Sequence, residues 1–166
     1  MNLATKYRHS DLSDNTEQKI VVEMVRGMIS NGEMEVRNFL FTGPAGTGKT
    51  TLARCIANEL NKGKGEPIEI DAASNSGVDA MRTLLEQAKS YPVGMDWKIF
   101  ILDEVHAFSN AAWQAALKVF EEVPARTVFL MATTNPEKIP NTILSRVQRF
   151  QLSKISLDGI ISRLTY

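Results

Sequence analysis

Residues 39 to 54 read FLFTGPAGTGKTTLAR. An apolar, β-prone run leads into Gly43, Gly46 and Gly48, then Lys49 and Thr50, then a stretch of helical periodicity. Few folds use so much backbone freedom between a buried strand and a helix, because glycines earn their place there only where backbone amides must converge. Gly43-Pro44-Ala45-Gly46-Thr47-Gly48-Lys49-Thr50 fits the pattern G-x-x-x-x-G-K-[ST]. In that pattern successive N–H groups line a concave surface that side chains would block, and the following helix aims its positive end at an anion. Lys49 is placed to reach β- and γ-phosphates, and the Thr50 hydroxyl to join the shell of a Mg²⁺ ion. The stretch from Gly43 through Thr51 is therefore expected to hold a nucleoside triphosphate. A glycine-rich turn without a ligand is the plain alternative, and the strand before and helix after it favour the phosphate reading.

The rest of the chain alternates between a hydrophobic period of two and one near four. Residues 1 to 13 read as extended. Asp14 with Glu17 resembles a capping box, and Ile20, Val21, Met24, Val25, Met28 and Ile29 form one apolar helical face that Asn31-Gly32 ends. RNFLFT is a short buried strand, and a helix runs from the glycine loop to about Asn61. PIEIDA is the second strand. Ser76 and Asp79 are expected to cap a helix carrying Val78, Met81, Leu84, Leu85 and Ala88, which stops before Pro92. KIFILDE is apolar on both faces, as a covered parallel strand should be. Ser109 opens a helix through Phe120, TVFLMATT is a fourth strand and VQRFQL a fifth, and Ser156 caps a last helix. Strands separated by helices argue for an α/β fold with a five-stranded parallel sheet covered on both faces. Residues 1–155 are expected to form the nucleotide-binding core, and 156–166 the start of a lid helix that is cut short.

At 166 residues the chain is long enough for one core. Nineteen basic and nineteen acidic side chains cancel, so bulk charge argues neither for nor against nucleic acid. From Asn141 onward four basic residues face Asp158 alone, which reads as a solvated face. Cys55 is the only cysteine, which excludes an internal disulfide and cysteine-cluster metal sites, and its setting in LARCIA reads as core. The N-terminus lacks the apolar stretch of a signal peptide and no run approaches membrane-spanning length, so a cytoplasmic protein without a membrane partner is expected.

Asp103 closes the third strand at the end where ligands collect in such sheets, and Glu104 follows it. Asp103 can hold Mg²⁺ through water, and Glu104 can orient or deprotonate an attacking water. His106 completes DEVH and invites a helicase reading, but the other helicase motifs and a second sheet domain do not fit in the remaining residues. With His9 as the only other histidine, His106 is expected at the surface or in support of the site rather than on a metal. Thr133, Thr134 and Asn135 offer short polar groups near a γ-phosphate, or caps for the loop before Pro136. Arg146 lies on a short helix opened by Pro140. It is either a partner in an ordinary salt bridge or an arginine finger offered to a neighbouring subunit.

With these pieces in order, the chain resembles the AAA+ ATPase module of clamp-loader subunits, most closely the bacterial gamma/tau type of DNA polymerase III. KYR at 6 to 8, LFTGPAGTGKTTLAR, EIDAASNSGVDAMR, ILDEVHAFSNAAWQAALKVFEEVP, ATTNPEKIPNTILSR and QRFQL carry the likeness over nearly the whole chain. The glycine loop and acidic strand point only to P-loop or AAA+ proteins; GVDAMR, ALKVFEE and TTNPEKIPNTILSR point to clamp loaders. The resemblance implies a P-loop, RecA-like fold, ATP and Mg²⁺ as ligands, and Thr134 as the sensor at the strand end, with Asn135 as runner-up. It also implies Arg146 as the finger of a Ser-Arg-Cys motif and Tyr7 and Arg8 over the adenine. The implied partners are the other subunits of a pentameric loader, a ring-shaped sliding clamp and primed DNA, with the helix opened by Ser76 near the clamp-facing surface.

The chain departs from the family at several places. NKGKGEP stands where bacterial gamma/tau subunits carry a four-cysteine zinc module, so zinc is not expected. Loaders of archaea, eukaryotes and phages also lack the module, which leaves the lineage open. His9 and Asn15-Thr16-Glu17-Gln18 replace the usual Pro and Val-Val-Gly-Gln, and Val147 replaces the cysteine beside the finger. The chain ends before the lid's sensor-two arginine and the oligomerising collar. The leading expectation is an ATP-hydrolysing clamp-loader subunit; the alternatives are a nucleotide-regulated scaffold with little hydrolysis and another AAA+ ATPase of DNA repair.

Overall fold

The computed structural model describes residues 19–30 and 37–153. Helix α1 spans Lys19–Ser30, strand β1 Asn38–Thr42, α2 Lys49–Asn61, β2 Ile68–Asp71 and α3 Val78–Lys89. Strand β3 (Lys98–Asp103) is followed by a 3₁₀ turn (Val105–Ala107) and α4 (Asn110–Glu121). Strand β4 (Thr127–Thr133), a 3₁₀ turn (Pro136–Lys138), α5 (Asn141–Leu144) and β5 (Gln148–Gln151) complete the described elements.

All four pairings in the sheet are parallel, in the order β2-β3-β4-β1-β5. Alternation along each strand feeds two cores. Phe39, Phe41, Ile99, Ile101, Val128 and Leu130 face α1 and α2, whereas Leu40, Phe100, Leu102, Phe129 and Met131 face α3 and α4. Every residue of β1 and β4 is buried, so these central strands read as unbroken apolar runs, while edge strand β2 alternates in exposure. The sheet with helices on both faces is the one the periodicity predicts, and Cys55 is buried in the first core.

Two local expectations are corrected. The apolar face of α1 is narrower than the sequence suggests. Val21 and Val25 are buried, but Ile20 is 75% exposed and Met24 46%, because a helix resting on one side of a sheet covers only one stripe. Helix α3 is not capped by Ser76: its N-cap is Gly77, which has no side chain to offer. The carbonyl of Ser76 instead accepts the Ser109 N–H at 2.9 Å, tying this loop to the start of α4. Asp79 sits in the first turn of α3, where its charge favours the helix dipole. Ser109 does cap α4, accepting the Ala112 N–H at 3.1 Å. The Asp14 cap, the Asn31-Gly32 stop and the Ser156 helix lie outside the described residues, as do Tyr7 and Arg8.

Gly43 is where the glycine loop meets the sheet edge. Its φ is +150°, and a Cβ there would lie 2.4 Å from the Leu152 carbonyl oxygen just beyond β5. That oxygen is backbone and cannot swing aside, so Gly43→Ala is expected to cost about 1–3 kcal/mol, seen as a lower urea midpoint at unchanged slope. An unchanged midpoint would show that the loop and β5 separate easily.

Candidate functional site

The loop leaves the C-terminal end of β1, and its neighbours in the sheet bring their own C-terminal ends beside it. Thr42 pairs in register with Thr133 of β4, and β3 ends next to β4 with Asp103. The loop turns on Gly46 (φ +77°) and Gly48 (φ +85°), both in the left-handed region that costs a glycine little. Nothing lies within 4 Å of where a Cβ would stand at either position, so the concave side stays open to a ligand. Gly48 is the N-cap of α2 and supplies no side-chain acceptor, which leaves the first-turn amides for an anion. Thr47 is buried and its hydroxyl donates to the Pro44 carbonyl at 2.9 Å, fixing the crest, while Pro44, Ala45 and Gly46 are exposed. Thr51 follows in the first turn of α2.

Lys49 is 7% exposed, and its Nζ donates to the carbonyls of Gly43 (2.9 Å) and Pro44 (2.8 Å). Burial lowers its pKa below the ordinary lysine value, and the carboxylates of Glu104 and Asp103 pull it back up. The Thr50 hydroxyl donates to Asp103 Oδ2 at 2.9 Å, so the loop and the acidic strand end are joined directly. Two hard oxygens at hydrogen-bond distance, one of them anionic, fit a Mg²⁺ ion, which favours hydroxyl, carboxylate and phosphate oxygens. Among the described residues no group of three or more His, Cys, Asp or Glu side chains could hold a metal by itself.

Glu104 has φ 52° and ψ 42°, a left-handed conformation that costs an ordinary residue about 1–3 kcal/mol and persists only where its surroundings hold it. Its N–H donates to Asp103 Oδ1 at 2.9 Å. The left-handed turn reverses the chain at once, so Asp103 and Glu104 share the mouth of the loop. His106 is mostly buried. Its Nε2 lies 3.4 Å from Glu104 Oε2 and its Nδ1 2.9 Å from Thr133 Oγ1. The Thr134 hydroxyl donates to Asn135 Oδ1 at 2.9 Å. Asn135 Nδ2 in turn donates to Glu137 Oε1 at 3.0 Å, holding that carboxyl below its usual range.

Arg146 is elsewhere. It precedes β5, whose Gln148 pairs with Phe39, so it stands at the N-terminal end of the sheet, a strand's length from the loop. Its backbone carbonyl accepts from Asn38 Nδ2 at 3.2 Å, and its guanidinium donates to Ser145 Oγ (3.2 Å), the Thr142 carbonyl and Glu121 Oε1. The salt bridge weighed from sequence is thus present, with Glu121 of α4. A cleft of about 570 Å³ lined by Arg37, Asn38, Glu121 and Arg146 opens here. The structure brings the loop, Asp103, Glu104 and the end of β4 together and leaves Arg146 outside. Sequence reasoning did not foresee the Glu104–His106–Thr133 contact, because the two threonines of ATT are indistinguishable until the strand's register buries one.

The profile of the family described as ATPase family associated with various cellular activities (AAA) matches residues 39–155. The chain belongs to that family. DNA polymerase III subunit tau of Bacillus subtilis is 42% identical over 147 residues, covering 76% of this chain and 26% of the relative. DNA polymerase III subunit gamma of Buchnera aphidicola (subsp. Baizongia pistaciae) is 36% identical over 181 residues, covering 96% and 49%. This AAA chain therefore spans about a quarter to a half of the length of these relatives. Among solved structures, a DNA polymerase III gamma subunit-related protein from Thermotoga maritima superposes with a TM-score of 0.68 at 22% identity, covering 78% of this chain and 44% of that one. The RuvB Holliday junction branch migration motor of the same organism also superposes at 0.68 and 22% identity, covering 88% and 48%. These two likenesses establish the AAA fold. No helix among the described residues is long and apolar enough to cross a membrane.

Proposed function

We propose that this chain is the ATP-binding and ATP-hydrolysing part of a clamp-loader subunit, which works with other loader subunits to open a sliding clamp and place it on primed DNA. The 2.9 Å hydrogen bond from Thr50 to Asp103 carries the reading, since it joins a phosphate loop to an acidic strand end as triphosphate hydrolysis requires. The relatives named as DNA polymerase III subunits favour the clamp-loader role over other AAA duties. Such work belongs in the cytoplasm. In this reading residues 1–155 form the nucleotide-binding core and 156–166 begin a lid, with Tyr7 and Arg8 against the adenine.

The chemistry follows from the residues. Gly43 through Thr51 wrap the phosphates with amides, and Lys49 turns its buried charge onto the β- and γ-phosphates. Thr50 and Asp103 would hold Mg²⁺, which when bound neutralises phosphate charge. Glu104 takes a proton from the attacking water, and Thr134, or Asn135 beside it, senses the γ-phosphate from the end of β4.

The test is ATP turnover by the full-length protein in its assembly, with and without clamp and primed DNA. Stimulation by clamp and DNA is expected, and turnover indifferent to both would count against clamp loading. In the same protein, Lys49→Ala is expected to weaken Mg-ATP binding by about 10- to 100-fold by calorimetry, the worth of one charge-assisted hydrogen bond. Unchanged affinity would remove Lys49 from the phosphate site.

A further inference from the structure

The motif Asp-Glu-Val-His has one polar member that the hydrolysis scheme leaves unused. Val105, fully buried, anchors the 3₁₀ turn after β3, and this anchoring turns His106 across to the end of β4. There the imidazole lies between the Thr133 hydroxyl, 2.9 Å from Nδ1, and the Glu104 carboxylate, 3.4 Å from Nε2.

Thr133 is fully buried, and its Oγ1 accepts the Asn135 N–H at 3.1 Å. The hydroxyl keeps its proton and a second lone pair for the contact with His106 Nδ1. Nε2 on the other side of the ring faces Glu104 Oε2. One chain of contacts thus runs from the Asn135 amide through Thr133 and His106 to the carboxylate. The last contact is longer than the usual 2.9 Å or so of an N–H···O bond, so it orients Glu104 without locking it. The side chain of Glu104 is 38% exposed on a left-handed backbone, and His106 is the contact that aims it.

We infer that His106 is a positioning residue for ATP hydrolysis, transmitting the placement of the β4 end, through Thr133, to the carboxylate of Glu104. This rests on the hydrolysis reading proposed above. Thr133 adjoins Thr134 and Asn135, so any shift of that strand end on meeting a γ-phosphate changes how Glu104 is aimed. In this relay Thr133 reaches Glu104 through His106, and His106 acts on the chemical step rather than on nucleotide affinity.

The experiment measures kcat and the Mg-ATP dissociation constant of the full-length protein in its assembly, for the wild type, His106→Ala, His106→Gln, Thr133→Val and the double variant His106→Ala/Thr133→Val. His106→Ala is expected to lower kcat about tenfold, since aiming the base is worth part of the 10²–10⁴ that a general base supplies. The dissociation constant should stay within about twofold. Thr133→Val, close in shape, should lower kcat about threefold, and the double variant should be no slower than His106→Ala alone. His106→Gln keeps an N–H for the carboxylate and should recover part of the rate. If kcat of His106→Ala matches that of an active wild type, or if the two single effects multiply in the double variant, the relay is wrong while the hydrolysis reading stands. A wild-type assembly that binds Mg-ATP without turning it over would overturn both.

Discussion

Glu104→Gln is expected to bind Mg-ATP as tightly as the parent protein while losing about 10²–10⁴ of its turnover. The substitution is nearly isosteric, so the left-handed backbone at φ 52° and the amide bond to Asp103 Oδ1 are undisturbed. Glutamine has the same length and shape beside His106, so the side chain keeps its direction. What disappears is the negative charge and the capacity to take a proton from water. In the proposed reading the nucleotide is held by Lys49, the loop amides and the Mg²⁺ that Thr50 and Asp103 would hold, none of which is altered. Losing Glu104 removes one of the two carboxylates that favour the Lys49 ammonium, but Asp103 remains. The measurements are single-turnover hydrolysis and a calorimetric titration on the assembled protein. Equal losses of affinity and turnover would make Glu104 a ligand of the nucleotide complex rather than the base.

Arg146→Ala is expected to leave both the stability and the nucleotide affinity of the protein unchanged and to lower turnover of the assembly roughly 10³-fold. The argument is one of position. Arg146 stands at the N-terminal end of the sheet and the phosphate loop at the C-terminal end, so this side chain cannot approach the nucleotide of its own chain. A neighbouring copy or subunit that presents its loop to the cleft beside Glu121 and Arg37 can receive it. The bond to Glu121 does not oppose this strongly. The two side chains are 29% and 50% exposed, and pairs so open to solvent are worth about 0–1 kcal/mol. A γ-phosphate carrying several charges in a closed interface competes easily. Turnover that is the same with and without Arg146 in the assembled state would leave it a surface ion pair and nothing more.

Much of this protein is legible along the chain because the chemistry of its loop is local. Six consecutive positions fix the glycine turns, and Lys49 and Thr50 must follow them at once, so Gly43 through Thr50 needed no fold to be recognised. The strands were equally plain, since Phe39–Phe41, Ile99–Leu102 and Val128–Met131 are apolar on consecutive positions, as only strands covered on both faces are. Where local signals misled, a tertiary contact had taken the residue for another purpose. Ser76 carries a capping side chain, yet its carbonyl is bound to the start of α4 and the helix begins after Gly77. Ile20 and Met24 continue an apolar stripe, yet they stay exposed while Val21 and Val25 join the core under the sheet.

The sequence by itself determined that a phosphate loop and an acidic strand end exist, because each is written in adjacent residues whose geometry the backbone imposes. Only the tertiary structure decided what those parts face. Strand order β2-β3-β4-β1-β5 sets Asp103 against Thr50 across 53 positions of sequence, turns His106 toward Thr133, and carries Arg146 to the far end of the sheet. The reason is that side chains distant in sequence meet only through register and crossover, which are set by the burial of whole faces and by no single stretch.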